Sequence, residues 1–226
     1  MSFHEVIIKG GLGNQIFCLF YAYKLLLKFE GEICLNLTNY LFCNRKDRTF
    51  ILDLLYPPLA NEFKLSTNFI SKILYFLIRF VEKFFKKENN NYLPGDNPFF
   101  INYWKKKYIH SGYFQKIDES ELDNQCFSLI KEKFIPYIKK KKYNYLAIHI
   151  RRGDYLTNNH SIHGVIKEKY FFKEAMNLLS EDYYDGIRIF SDSPDLVNKD
   201  IFKNLHKNIV FDRGGDPIEV FKRMAN

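Results

Sequence analysis

Short apolar runs alternate with longer amphipathic stretches along this chain. The first run, Val6-Ile7-Ile8, is β-branched, and it precedes the glycine segment Gly10-Gly11-Leu12-Gly13 and a long apolar stretch from Ile16 to Phe29. This order predicts a strand, a glycine turn and a buried helix, which together form a common opening of an α/β fold.

The same alternation returns after a lysine run in the middle of the chain. Residues 145–150 predict a buried strand and residues 167–179 a helix, and residues 187–190 and 208–211 predict two more strands with another helix between them. The tetrad Asp216-Pro217-Ile218-Glu219 predicts a final helix, because it offers a capping Asp, Pro at the first helical position and Glu at the third. Strands that alternate with helices predict a mostly parallel sheet.

Composition narrows the class of protein. The chain has 226 residues, of which 46% are hydrophobic and 27% charged, so disordered and fibrous classes are excluded. A net charge of +8 favours an anionic partner. We expect that partner not to be a nucleic acid, because no nucleic-acid motif accompanies the lysine runs. The four cysteines include no Cys-x-x-Cys pair and the N-terminus shows no secretory signal, so we expect reduced thiols and a cytoplasmic location.

One stretch, residues 69–87, predicts a helix with apolar residues on most of its circumference and basic residues at intervals. Packing against the core is the commoner explanation for such a pattern. A peripheral contact with the inner membrane through a basic amphipathic helix is the alternative.

The glycine turn is the first candidate for chemistry. A glycine loop that leads into a helix N-terminus presents backbone N–H groups and a positive dipole end to an anion. The dinucleotide pattern Gly-x-Gly-x-x-Gly is incomplete, because Ile16 occupies the third glycine position. The alternative is that these glycines serve only a tight turn.

The second candidate follows the strand at residues 145–150. His149 and Arg151 are two residues apart, so they project to the same face of an extended chain, and Arg151 is suited to a bidentate grip on a phosphate. Arg152 points the other way, where we expect a buried ion pair with a carboxylate. Asp154 either acts as a general base or holds Arg151 in place.

Ser191 and Asp192 follow the next predicted strand. Ligands of open α/β sheets bind outside the carboxyl ends of the strands, so these two side chains are candidates for binding a ribose or a base. Capping of the helix that follows is the equally supported alternative.

Four segments resemble the motifs of glycosyltransferase family 11, the α-1,2-fucosyltransferases. They follow the family's order and span the whole chain: Ile7-Ile8-Lys9-Gly10-Gly11-Leu12-Gly13-Asn14-Gln15-Ile16-Phe17, Gly112-Tyr113-Phe114-Gln115, His149-Ile150-Arg151-Arg152-Gly153-Asp154-Tyr155 and Ile189-Phe190-Ser191-Asp192. The resemblance implies an α/β fold of the GT-B type, with two Rossmann-like halves and mostly parallel sheets. Residues 1–140 would form the acceptor half with the glycine loop, and residues 141–226 the half that binds the nucleotide sugar.

The resemblance also implies a reaction. GDP-fucose would be the donor and a galactose-terminated glycan the acceptor, with inversion at the fucose anomeric carbon and no required metal or other cofactor, in the biosynthesis of a surface glycan such as lipopolysaccharide. Arg151, Asp154 and Asn14 would be catalytic. The substrate-binding residues would be Gly11, Gly13, Asn14, Gln15, His149, Arg151, Ser191 and Asp192.

The family's pattern continues beyond the segment that resembles residues 216–226, so the resemblance also predicts that the second half is truncated. The alternative function is therefore an inactive relative that binds a sugar nucleotide or serves assembly.

Overall fold

The computed structural model describes residues 2–41, 49–67, 99–103, 107–115, 120–134, 144–153, 167–181 and 183–225, with isolated positions between them. The chain divides into two units, Met1–Tyr137 and Ile138–Asn226, close to the predicted boundary at residue 140. Each unit contains a sheet of its own.

The sheet of the first unit has the strand order β3-β2-β1-β5-β4. The pairings β1–β2, β1–β5 and β2–β3 are parallel, and only the edge strand β4 runs antiparallel to its neighbour. The strands are β1 (Ser2–Ile7), β2 (Gly31–Asn36), β3 (Lys64–Ser66), β4 (Phe99–Tyr103) and β5 (Lys107–Ser111). The described helices of this unit are α1 (Leu12–Lys28), α2 (Thr38–Leu41), α3 (Leu52–Leu55), α4 (Leu59–Glu62) and α5 (Glu121–Phe134).

Helix α1 packs on this sheet through one stripe of its surface. Cys18, Leu19, Ala22 and Tyr23 recur at helical spacing and are completely buried. On the helix's outer side, Lys24 forms a 2.5 Å ion pair with the buried carboxylate of Asp123 on α5. The strand, turn and buried helix that the opening pattern predicts are therefore confirmed.

The second unit has three parallel strands in the order β6-β7-β8. Its core lies on one face of this sheet, where Leu146, Ile148, Ile187 and Ile189 pack with residues of a long helix and of the loop before β8. The elements are β6 (Tyr145–His149), α6 (Glu168–Glu181), β7 (Gly186–Phe190), β8 (Ile209–Phe211) and α7 (Pro217–Met224).

The final helix begins as predicted, because the Asp216 side chain accepts hydrogen bonds from the backbone N–H groups of Ile218 and Glu219. The prediction of a helix after β7 is wrong. This segment forms two 3₁₀ turns, Pro194–Leu196 and Lys199–Phe202, which are separated by extended residues.

The predicted α/β class with mostly parallel sheets is confirmed, whereas the GT-B type and a truncated second half stay predictions. The predicted helix at 69–87 lies largely outside the described residues. Its described positions have helical backbone and exposed side chains; they are Ile70, Ile73, Leu77 and Phe80. Among the helices that the structure describes, none has the length and apolar character needed to cross a bilayer.

Candidate functional site

The glycine turn of the first unit joins β1 to α1. Gly10 has φ +83°, a left-handed conformation that favours glycine, and Gly11 is the N-cap of α1. No side chain caps this helix N-terminus. The turn therefore directs the uncapped N-terminus of a 17-residue helix toward the carboxyl end of the sheet.

Neither a positive φ nor a close contact requires glycine at positions 11 and 13. Neither has a positive φ, and a methyl group added to either would meet no atom within 4 Å. Both residues are exposed. Their small size therefore leaves open space in front of the first turn of α1, which is where an anion or a sugar could approach the backbone.

Asn14 lies at the same helix end and has a partner from the segment that follows β5. The side-chain nitrogen Nε2 of Gln115 donates a hydrogen bond to Oδ1 of Asn14 at 2.7 Å. These two residues are 101 positions apart in sequence. The structure thus brings together two of the four sequence motifs.

Gln15, predicted to bind substrate, lies beneath the turn and is completely buried. Its Nε2 donates to the carbonyl oxygens of Gly10 and Thr49, at 3.3 and 2.8 Å, and its Oε1 accepts from the N–H of Ile51 at 3.1 Å. These bonds attach the glycine turn to the segment that precedes α3. The motif gave no signal that distinguished this buried role from a contact with substrate.

In the second unit, the loop after β6 is held by a carboxylate from the end of β7. Asp192 accepts hydrogen bonds from the backbone N–H groups of Arg152 at 2.7 Å and Gly153 at 3.1 Å. A methyl group on Gly153 would lie 2.8 Å from Oδ2 of Asp192, so this close approach requires glycine. Asp192 therefore shapes the arginine loop instead of capping the helical turn that follows it.

Arg151 and Arg152 differ in exposure as predicted. The Arg151 side chain is 45% exposed, and its Nε lies 4.0 Å from Oδ2 of Asp192. The Arg152 side chain is 4% exposed and forms an ion pair with Glu168 at 2.8 Å. The predicted buried ion pair of Arg152 is confirmed, and it attaches the loop to the start of α6.

His149 ends β6 on the same face as Arg151. The surrounding protein desolvates the ring and lowers the pKa of His149; the charge of Arg151 lowers it further, whereas Asp192 opposes the shift. The imidazole is therefore neutral at pH 7 and carries one N–H donor. Ser191, the other residue predicted at the end of β7, is buried and accepts from the N–H of Ser193 at 3.1 Å.

A third cluster, which the sequence did not predict, lines a cavity of about 420 Å³ at the end of β8. Arg223 makes two 2.8 Å hydrogen bonds to the carboxylate of Asp212, and Arg188 and Arg213 also line the cavity. Strands β6 and β8 both neighbour β7, so Arg151 and this cavity belong to strands about 10 Å apart. Arg188 is 25 positions from Arg213 in the sequence, and Arg213 is ten positions from Arg223, so no short motif contains them.

Asp154, the predicted general base, lies outside the described residues. Within the described ranges, no group of three or more His, Cys, Asp or Glu side chains could hold a metal ion.

The fold and these clusters define the class: an α/β protein whose strand ends present a helix N-terminus and arginines, as proteins that bind phosphate-containing ligands do. The sequence profile of glycosyl transferase family 11 matches residues 4–226. The chain belongs to this family and is a glycosyltransferase, so the resemblance of the four motifs is confirmed.

One relative is an α-1,2-colitosyltransferase from Escherichia coli. It is 26% identical over 237 residues, which cover 96% of this chain and 76% of the relative. No solved structure matches the chain significantly.

Proposed function

We propose that the protein is an α-1,2-fucosyltransferase. It would move fucose from GDP-fucose to a hydroxyl of a galactose-terminated glycan, with inversion, in surface-glycan biosynthesis. The observation that carries this proposal is the guanidinium of Arg151, which is exposed at the carboxyl end of β6 on a loop that Asp192 holds. An exposed guanidinium on a loop that is held in place suits a diphosphate leaving group, because it can donate to two phosphate oxygens and its positive charge is permanent.

In the proposed reaction, a hydroxyl oxygen of the acceptor attacks the anomeric carbon from the face opposite the diphosphate. The bond from this carbon to the diphosphate oxygen breaks, and the diphosphate leaves with the electron pair. Arg151 stabilises the charge that develops there, and the neutral ring of His149 donates a further hydrogen bond. Asp154 remains our candidate for the base that takes the hydroxyl proton.

The arginine-lined cavity supports the assignment of the nucleotide to the second unit. Its volume lies within the range of small-molecule sites. The separation of β6 and β8 is comparable with the reach of a nucleoside diphosphate from its base to its terminal phosphate. We therefore propose that the diphosphate binds at Arg151 and that the remainder of the nucleotide extends across the sheet toward β8. Ser191 and Asp192 would shape this surface.

The first unit would bind the acceptor. Its glycine turn offers backbone N–H groups, the amide of Asn14 and open space at Gly11 and Gly13. Such neutral groups suit sugar hydroxyls, which both donate and accept hydrogen bonds. In this proposal Gln15 contributes by fixing the turn.

Transfer of colitose is the second candidate, because the relative from Escherichia coli is named for that sugar. The discriminating experiment is a transfer assay in which GDP-fucose and GDP-colitose are each offered with a galactoside acceptor, and the product linkage is read by NMR. An α-1,2-linked fucoside supports the main proposal, whereas product from GDP-colitose alone supports the second candidate. Full activity in the presence of EDTA would support a reaction without a metal.

An inactive relative remains the contrasting function. Titration calorimetry with GDP and GDP-fucose distinguishes the two: an active fucosyltransferase binds both, and a chain that binds neither is not an active fucosyltransferase. If GDP-fucose binds and no fucose is transferred to any galactoside, the protein is a sugar-nucleotide-binding or assembly protein.

We also propose a peripheral contact with the membrane through residues 69–87. The four described positions of this segment are spaced at three or four residues, are apolar and are 48–64% exposed, as expected of one face of an interfacial helix. The sequence places basic residues between them, which would favour anionic lipids. Co-sedimentation with vesicles that contain anionic lipid tests this proposal, with Leu77→Ser expected to weaken binding.

A further inference from the structure

We propose that Gln115 is a positioning residue that fixes the orientation of the Asn14 carboxamide, so that its NH2 group faces the glycine turn and donates to a hydroxyl oxygen of the acceptor sugar. This inference rests on the proposed function for its substrate. The orientation itself is a property of the protein alone and can be measured without a substrate.

The hydrogen bond between the two amides determines which way the Asn14 side chain points. Nε2 of Gln115 is a donor, and it lies 2.7 Å from Oδ1 of Asn14, so the Asn14 oxygen faces Gln115. The Asn14 nitrogen must then lie on the other side. There it sits over Gly10, where an added methyl group would be only 2.4 Å from Nδ2.

Gly10 thus serves the arrangement in two ways. Its φ of +83° forms the turn, and its missing side chain leaves the room that the Asn14 amide occupies. The carbonyl oxygen of Gly10 accepts from Gln15 and from the hydroxyl of Tyr40, at 3.3 and 2.9 Å, so the backbone under Asn14 is fixed.

A strained residue brings Gln115 to this place. Phe114 has φ 54°, and it is the only non-glycine residue with a positive φ in the described part of the chain. Strain of this kind persists where the surroundings hold it, and it concentrates at functional sites. The left-handed step after β5 leaves Phe114 buried and Gln115 exposed beside the first turn of α1.

The ring of Phe114 is held by a stack on α1. It lies 4.0 Å from the Tyr21 ring, centroid to centroid, with an interplanar angle of 4°. The Tyr21 hydroxyl is in turn 3.0 Å from Nδ1 of His110, and Nε2 of His110 is 3.0 Å from Nδ1 of His4. This chain of rings, in which Phe114, His110 and His4 are buried, holds the conformation of Phe114 and thereby the position of Gln115.

The orientation of the Asn14 amide matters for sugar recognition, because one side of an amide group donates hydrogen bonds and the other side accepts them. With its oxygen bound to Gln115, Asn14 presents two N–H donors to the turn. If the amide rotated by half a turn, an acceptor would replace those donors, and the sugar hydroxyl could only donate to Asn14 and no longer accept from it, which would change the orientation of the hydroxyl. Gln115 would therefore act on the rate through Asn14.

The substitution Gln115→Glu tests this inference, because a carboxylate of nearly the same shape can only accept and would turn the Asn14 amide around. The matched control is Gln125→Glu, since the Gln125 amide donates to Glu121 on the exposed surface of α5, away from the glycine turn. We expect Gln115→Glu to lower kcat/KM for a galactoside acceptor about tenfold, the effect of one lost hydrogen bond. GDP affinity and Tm should stay within error, and the control should match the wild type.

The second measurement is the side-chain NH2 signal of Asn14 in a ¹⁵N NMR spectrum, assigned by its absence in Asn14→Asp. We expect this signal to shift in Gln115→Glu and not in Gln125→Glu. An unshifted signal overturns the inference, and so does a shifted signal with unchanged kcat/KM. If the wild type transfers no sugar, the proposed function fails, whereas the NMR signal still decides whether Gln115 orients Asn14.

Discussion

The glycine turn of the first unit and the arginine loop of the second each follow the first strand of their unit's sheet, yet they present different chemistry. In the first unit the helix begins at once, at Leu12, so its N-terminus and the Asn14 amide form the surface. In the second unit the exposed group after the strand is the Arg151 side chain.

The interactions that hold the glycine turn and the arginine loop in place also differ. The glycine turn is fixed by neutral amides, since Gln15 bonds three backbone groups and Gln115 bonds Asn14. The arginine loop is fixed by charge, since Asp192 accepts from its backbone and Glu168 pairs with Arg152. Neutral donors suit hydroxyl groups, whereas a guanidinium suits a diphosphate. We infer that the chemistry of each loop reflects the part of the reaction that it serves.

The largest effect on stability should come from removing the charge of Arg152, which supports the arginine loop. Arg152→Met leaves the Glu168 carboxylate in a half-buried place without its partner. Although burial favours protonation of Glu168, hydrogen bonding and charge from Arg152 outweigh it and lower the pKa of that carboxyl. We expect the free energy of unfolding to fall by about 3 kcal/mol, which urea titration at pH 7 would measure.

The double variant Arg152→Met with Glu168→Leu is the control for this prediction, because it removes both charges. It should recover most of the lost stability. If the single variant is as stable as the wild type, charge does not support the arginine loop.

The next prediction concerns how the stability of the first unit depends on pH. Burial, together with the charge of His4, lowers the pKa of His110 from 6.5 to about 4, so the folded state keeps this ring neutral. The unfolded chain binds the proton between pH 6.5 and pH 4, and stability must therefore fall as pH falls through that window. The expected loss is about 3 kcal/mol at pH 4 relative to pH 7.

Unfolding in urea at pH 7, 5.5 and 4 checks this dependence. His149 in the second unit has a lowered pKa as well, so the informative quantity is the difference between the wild type and His110→Gln. The variant should lose less stability on acidification. Equal losses in both proteins would show that the buried histidine pair does not set the acid sensitivity of the first unit.

A smaller effect distinguishes two neighbouring glycines of the first loop. Gly10→Ala places a side chain at a positive φ and against the Asn14 amide, so it should cost about 1–3 kcal/mol of stability. Gly11→Ala meets no atom within 4 Å and loses only the preference of the N-cap for glycine over alanine, so it should cost about 0.5 kcal/mol. Thermal unfolding of both variants measures the contrast. The account of the turn fails if Gly11→Ala is the more damaging change.

The parts of this structure that the sequence predicted depend on local patterns. The first strand, the glycine turn and α1 follow from a β-branched run and helical periodicity, and Asp216 caps α7 through bonds within its own turn. The buried ion pair of Arg152 followed from its position next to Arg151, where its side chain points to the opposite face of the extended chain.

The parts that it could not predict depend on distant contacts. Asp192 bonds the arginine loop across about 40 positions of sequence, and Gln115 bonds Asn14 across 101. The cavity at β8 gathers arginines from β7, from α7 and from the loop between β8 and α7. Hydrophobic periodicity and secondary-structure propensity depend on residues that are close in sequence. They therefore carry no information about which polar side chains the strand order brings together.

The affinities of the protein for GDP and for guanosine, measured separately, test the central claim that Arg151 binds the diphosphate. Titration calorimetry would compare the wild type with Arg151→Ala, and with Lys203→Ala as a control that removes a positive charge from an exposed ion pair of the same unit. We predict that Arg151→Ala weakens GDP binding roughly tenfold to a hundredfold, the effect of losing a charged hydrogen bond, and leaves guanosine binding unchanged. Wild-type affinity for GDP in Arg151→Ala, or an equal loss for guanosine, would contradict the claim.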